Sequence, residues 1–251
     1  MGGVNGLIIS HSRRFVFIHI HKTAGESISA SMVPDLAGAD LFRRPGVVIE
    51  TTSPAGSEGQ VVPAGSERLN KHSTALEVRD WLGQETWDQY FTFSFVRHPI
   101  ERALSLYGYV AKAARQPSRP WPKRVLHRLA PGGRTDKSDW LGVKAFRATN
   151  SFSEFIRHPL LDEAPGMRPQ SASLCDASGE IIVRYVGRYE QINEDFQFVR
   201  TELGLPERPL RWKNRGRRRG GTPSPGELPA EDRAYMAAKF EEDFRRFGYE
   251  P

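Results

Sequence analysis

The sequence predicts an α/β domain of three layers, with a mostly parallel central sheet flanked by helices. Three observations carry that expectation. β-rich runs at Phe15–Ile20, Phe91–Val96 and Glu180–Val186 are separated by stretches of helical spacing. The first two runs each lead, after a short turn, into a helix start, the pattern of strands joined by crossover helices. The chain has 251 residues, of which 38% are apolar, enough to bury a core on both faces of a sheet.

The elements follow in order. Phe15–Ile20 reads as a buried strand bounded by Arg13-Arg14 and a Lys-Thr-Ala-Gly turn. Ser27–Val33 reads as a short helix ended by Pro34, and Val47–Glu50 as a second strand. Residues 52–70, rich in Ser, Pro and Gly, predict a mobile loop. Ser73–Leu82 has helical spacing, with Ser73 as its N-cap and Gly83 as its stop. Phe91–Val96 is the strongest strand, and Pro99 suits the first position of a helix running over Ile100–Ala113. Trp140–Ala148 and Phe152–Arg157 read as short helices. Glu180–Val186 reads as a strand after an Asp176–Gly179 turn, Ile192–Leu203 as an amphipathic helix stopped by Gly204, and Ala230–Phe247 as one closing helix. Residues 115–137 and 213–226 predict two further mobile, basic loops, and no internal repeat interrupts a single domain over 1–251.

Lys plus Arg number 36 and Asp plus Glu 30, a net charge of +6 that suits an anionic partner. The single cysteine, Cys175, excludes an intramolecular disulfide framework and points to a reducing compartment. It reads as a small core residue, because no His/Asp partner pattern accompanies it. No signal-peptide core or membrane-spanning run occurs, and Gly6 breaks the myristoylation pattern, so a cytoplasmic protein without a membrane span is expected. No Cys/His or carboxylate cluster has metal-site spacing.

Two segments lie where α/β sheets bind ligands, beyond the carboxyl ends of strands. In Ile18-His19-Ile20-His21-Lys22-Thr23-Ala24-Gly25-Glu26-Ser27, a strand, a turn and a helix start bring backbone N–H groups to one point, with Lys22 adding a full charge. Such a turn suits a phosphate-like anion, and a plain strand-to-helix turn with a solvated lysine has the same spacing. It is not a Walker A loop, since Lys22 precedes the glycine. In Phe91–Ser105, Arg97 ends a strand and Ser105 lies in the second turn of the next helix. The pair could clamp a second phosphate, or Arg97 could simply bridge to Glu101.

Taken together, "FIHIHKTAGES" and "FSFVRHPIERALSLY" resemble the two cofactor-binding signatures of the type-2 sulfotransferase family. The late segment "RPQSASLCDASGEIIVRYVGRYEQINEDF" and the ending "EEDFRRFGY" extend the likeness over about residues 15–249. The resemblance implies a P-loop-like fold and a sulfotransferase that uses 3′-phosphoadenosine 5′-phosphosulfate (PAPS) as donor, without a metal. It implies that Lys22 holds the oxygen bridging sulfate and phosphate, and that Thr23, Ala24, Gly25, Glu26 and Ser27 line the 5′-phosphate. Arg97 and Ser105 would bind the 3′-phosphate. Asn214 and Arg215, in the second basic tract, correspond to a loop that contributes to the cofactor pocket. His72, placed before the second signature, corresponds to the base that takes the acceptor proton, with Glu26, His21 or His19 as substitutes. His19 otherwise reads as a hydrogen-bonded core histidine, and His98, before a proline, as structural.

The chain departs from the family pattern at two positions. His21 stands where Pro is usual, and Glu26 stands where Thr or Ser is usual. A carboxylate beside a bound phosphosulfate is repelled by about 4 kcal/mol per unit-charge pair at 4 Å and an effective dielectric of 20. Glu26 must therefore point away, pair with a cation, or face the acceptor. Gln170 and Glu190 flank apolar strands and read either as functional or as structural, Glu190 as a buried carboxylate. The expected acceptor is a hydroxyl on a carbohydrate or a small glycosylated molecule, with no nucleic-acid partner. The alternatives are a basic nucleic-acid-binding protein using Arg115–Lys137 and Arg208–Arg219, and a P-loop-type nucleotide kinase.

Overall fold

The computed structural model describes residues 6–36, 40–44, 47–51, 68–116, 137–212 and 222–251. The expected loops at 52–70, 115–137 and 213–226 fall mainly outside these residues, as do Asn214 and Arg215. The described chain forms two compact units interleaved in sequence. The first comprises residues 1–96 and 170–214, the second 97–169 and 215–251.

The first unit is built on a six-stranded sheet of order β4-β3-β1-β2-β5-β6. The strands are β1 (Ile8–Ser10), β2 (Phe15–Ile18), β3 (Leu41–Arg44), β4 (Val47–Thr51), β5 (Phe91–Val96) and β6 (Tyr185–Arg188). β2 pairs parallel to β5, and β5 parallel to β6. β1 joins β2 antiparallel, so the block β1-β2-β5-β6 is mostly parallel as expected. The ladders β1–β3 and β3–β4 are antiparallel, and they extend the sheet beyond that block. β1 and β3 are too short to leave a clear period in the sequence.

Alternation in β2 and β5 sends the phenylalanines to one side. Phe15, Phe17, Phe93 and Phe95 form a core with Ile28 and Met32 of α1 (Gly25–Met32) and with Phe196 and Val199 of the helix Ile192–Glu202. Val16, Ile18 and Val96 point the other way and are also fully buried. Both faces of these strands are buried, the polar Thr92 and Ser94 of β5 included.

Several boundaries differ from the sequence reading. α1 starts at Gly25 rather than Ser27, and Pro34 falls inside a 3-10 turn, Val33–Asp35, that follows it. α2 (Ala75–Leu82) is capped by Thr74, whose hydroxyl accepts from the Glu77 amide in a reciprocal capping box. Ser73 instead accepts from the Asn70 amide, closing the turn that carries His72. Gly83 ends α2, but a further helix, α3 (Gln84–Gln89), begins at once. The strand expected over Glu180–Val186 starts only at Tyr185. The preceding residues fold back, with the Ile182 amide donating to the Leu174 carbonyl and Ile181 bridging Cys175. That fold-back is fixed by Asp176, whose carboxylate accepts from the Ser178 and Glu180 amides. Cys175 is accordingly half-buried rather than in the core.

The second unit centres on α4 (Pro99–Ala114), which starts at Pro99 as expected. Its apolar face packs with α5 (Leu141–Arg147), α6 (Phe152–Ile156) and residues Met236, Phe240 and Phe244. The expected closing helix is two helices, Ala230–Lys239 and Glu241–Phe247, broken at Phe240, whose backbone leaves helical geometry and whose ring is buried. No helix among the described residues is long and apolar enough to cross a membrane.

Candidate active site

The turn between β2 and α1 is conformationally unusual. Lys22 (φ 68°) and Ala24 (φ 65°) both lie in the left-handed region without being glycine. Each costs roughly 1–2 kcal/mol, which the surrounding fold must hold in place. Left-handed residues in a tight turn curl successive amides toward a common concavity suited to an anion. Ala24, as N-cap, gives the helix no side-chain cap. The Ser27 and Ile28 amides both turn back to the Ala24 carbonyl. The Gly25 amide precedes these bonds and has no place in the helical ladder.

The side chains of the turn are deployed unevenly. Lys22 is half-buried. Thr23 is buried and its hydroxyl donates to the Ile20 carbonyl, so that proton is used inside the turn. Ser27 is buried, and its carbonyl accepts from the Ser31 hydroxyl. Gly25 is indispensable for packing: a β-carbon there would lie 1.9 Å from Cδ2 of His19. Glu26 is 3.5 Å from Nζ of Lys71, so of the three options open to it, it takes a cation.

His72 is tied to the same turn. Its Nδ1 lies 2.8 Å from the His19 carbonyl oxygen. A carbonyl only accepts, so Nδ1 carries the hydrogen, and Nε2 is the lone-pair nitrogen of the neutral ring. The His72 amide donates to Asn70 Oδ1, which fixes the backbone beneath it. The His72 ring lies 3.4 Å from that of His21, nearly parallel at 20°, and 4.6 Å from that of His19. Burial, then the neighbouring His21 and Lys71, hold the His72 imidazole well below the usual histidine range, partly opposed by its bond to the His19 carbonyl. His72 is therefore neutral at pH 7, the form a proton acceptor requires.

His19 is buried and pushed well below the usual range, first by burial and then by His72, Lys71, His21 and Lys22. The sequence suggested a hydrogen-bonded core histidine. Its Nδ1 has no hydrogen-bond partner among the described residues, and the ring is held by stacking on Phe17 and by Gly25 instead. His21 and His72 stack face on face while His19 meets His72 tilted at 44°, and no group of His, Cys, Asp or Glu among the described residues is disposed to hold a metal ion.

In the second unit, Arg97 donates to Glu101 one helical turn on, at 3.0 Å. This is the bridge that the sequence allowed. Ser105 is half-buried on α4. His98 caps α4, lies 2.9 Å from the Glu250 carbonyl and meets Phe244 and Tyr249 edge-on, a structural histidine as expected. Gln170 is fully buried, whereas Glu190 is exposed rather than a buried carboxylate. The carboxylate that meets the Arg188 amide is Asp195, at 2.5 Å.

Sequence reasoning missed Lys71 as the partner of Glu26 and the face-to-face pair His21–His72. Only the adjacency of Lys71 to His72 hinted at the first, and the 51 positions separating His21 from His72 hid the second.

The chain is 28% identical over 122 residues to carbohydrate sulfotransferase 14 of Danio rerio, covering 47% of this chain and 31% of that protein. It therefore spans about a third of that relative's length. It is 26% identical over 133 residues to an uncharacterized protein of Archaeoglobus fulgidus, covering 53% of this chain and 83% of the other. No solved structure matches at comparable significance. The profile described as the sulfotransferase family matches residues 5–250, nearly end to end, and the chain belongs to that family.

Proposed function

We propose that the protein transfers a sulfuryl group from PAPS to a hydroxyl, on a carbohydrate or a carbohydrate-containing metabolite, with His72 as the base. The whole of residues 1–251 would serve as one sulfotransferase domain of P-loop-like type. The observation that carries the reading is the β2–α1 turn: two left-handed residues, Lys22 and Ala24, lead into the uncapped start of α1. Gly25 carries no side chain of its own into the turn, and the His19 ring packs against it.

PAPS would supply the sulfuryl group, the acceptor oxygen forming its bond to sulfur as the opposite bond to the phosphate oxygen breaks. Lys22 places a full positive charge where the leaving oxygen gains negative charge, the type of contribution that lowers barriers most in charge-transfer steps. Thr23, Ala24, Gly25 and Ser27 line the anion, chiefly through the backbone, because the Thr23 hydroxyl already donates within the turn. Glu26 does not oppose the anion with an uncompensated charge, because Lys71 neutralises it. His72 accepts the hydroxyl proton at Nε2 while Nδ1–H stays on the His19 carbonyl, so the ring keeps its orientation through the step. Arg97 and Ser105, with Asn214 and Arg215, are proposed as the groups that read the 3′-phosphate side of the nucleotide.

Calorimetric titration with adenosine 3′,5′-bisphosphate at low salt tests the donor site. Micromolar binding, with ATP binding far more weakly, is expected. Absence of binding at high micromolar ligand overturns the reading. Mass spectrometry of an acceptor panel incubated with PAPS, scored for one added sulfate, then identifies the hydroxyl.

A further inference from the structure

We propose that His21 is a positioning residue for His72: its ring lies face to face with the His72 imidazole and fixes the tilt at which Nε2 meets the acceptor proton. The inference rests on the sulfotransfer reading above, in which His72 is the base. It concerns the residue immediately before Lys22.

The geometry is local to the first unit. The His72 ring is held on one side by the His21 ring at 3.4 Å and 20°. The His19 ring lies 4.6 Å away at 44°, and the His19 carbonyl holds Nδ1 at 2.8 Å. The hydrogen bond alone permits the ring to rock about the Nδ1···O axis. A second, nearly parallel ring removes that freedom, which a proline could not do to the same extent. Positioning a base to within a fraction of an ångström is worth orders of magnitude in rate.

The stack also has an electrostatic consequence. Two imidazoles this close cannot both carry a proton without strong repulsion. The other charged group acting on His72 is Lys71, itself paired to Glu26, while Lys22 acts on the neighbouring His19. His21 and Lys71 oppose a proton on His72, and the His19 carbonyl favours one. His21 thus helps keep His72 neutral and ready to accept.

The test compares wild type with His21→Phe, which keeps an aromatic face and removes the titrating group, and with His21→Asn, which removes the face. Two readouts are taken: the pH profile of kcat with PAPS, and the 15N titration of the His72 ring by NMR. In His21→Phe, His72 should titrate about one pH unit higher than in wild type, and the acid limb of kcat should move up with it. In His21→Asn, kcat should fall at least tenfold at pH 8 while KM for PAPS stays within twofold. An unmoved His72 titration in His21→Phe overturns the proposal, as does loss of all turnover in His21→Phe, which would make His21 itself the base. The NMR arm needs no turnover. A shifted His72 in a protein that transfers no sulfate upholds the ring pairing and overturns the sulfotransfer reading, so the two failures are told apart.

Discussion

The imidazole of His19 occupies the space that a side chain on Gly25 would fill, with Cδ2 1.9 Å and Nε2 2.2 Å from an ideal β-carbon. This contact joins the residue after β2 to the first residue of α1. It makes the β2–α1 turn and the histidine cluster parts of one packed structure. Gly25→Ala must push the His19 ring toward His72, which it already meets at 4.6 Å. Overpacking of this kind costs about 1–3 kcal/mol. Chemical denaturation should register that loss, and adenosine 3′,5′-bisphosphate affinity should fall with it. An unchanged midpoint would mean that the ring has room to yield.

Lys22 and Arg97 are expected to separate chemistry from binding. Lys22→Ala should lower kcat by about 10²- to 10³-fold, the usual loss for one stabiliser of developing negative charge. Arg97→Ala should raise the dissociation constant of adenosine 3′,5′-bisphosphate and leave kcat at saturating donor within a few-fold. Steady-state kinetics paired with calorimetry read both. Equal effects on kcat from the two variants would contradict the assigned roles.

His72→Ala should reduce kcat by about 10²- to 10⁴-fold at neutral pH. The wild-type acid limb should lie below pH 6.5, because His72 is held well below the usual histidine range. Activity needs the neutral ring, so the rate stays level through pH 6.5 and falls only as His72 gains a proton. A wild-type limb centred above 7 would remove His72 from that role.

Lys71 is expected to matter through Glu26. Lys71→Ala exposes the carboxylate beside the donor anion and should raise KM for PAPS about twofold to fivefold, the range for a partly exposed ion pair. Adding Glu26→Gln to that variant should restore the wild-type value, since the repelling charge is then gone. Failure of the second substitution to rescue would show that Lys71 acts on the donor directly.

Stability should depend on pH through His19. Its folded-state affinity for protons is depressed by burial, so the unfolded chain binds the extra proton first. Stability therefore holds above the unfolded value near 6.5 and declines as pH falls below it, by up to about 1.4 kcal/mol per pH unit for this one group. Urea titrations at pH 7.5, 6.5 and 5.5 should show that decline, reduced in His19→Gln. A stability profile that is flat from 7.5 to 5.5 would contradict a buried neutral His19.

Much of the fold was legible in the sequence because its strongest signals are local. Phe91–Val96 matches its strand residue for residue, and Pro99 opens α4 as its fixed φ dictates. β1 was invisible because three residues carry no period. The Glu180–Val186 run misled because a β-rich composition does not say that Asp176 will fold residues 180–182 back on Leu174. The closing helix breaks at Phe240, a buried residue outside helical geometry, where helical propensity alone gives no stop.

The sequence by itself determined the chemistry on offer: a lysine and small residues at a strand-to-helix turn, an arginine after a second strand, and membership of the sulfotransferase family. Those are properties of contiguous residues, and contiguous residues leave patterns. Only the tertiary structure decided that Lys71 neutralises Glu26, that His19 requires glycine at 25, and that His21 lies on His72. Two of these contacts span 45 and 51 positions and the third is a close approach of a ring to a backbone, and all three depend on how the chain packs once folded.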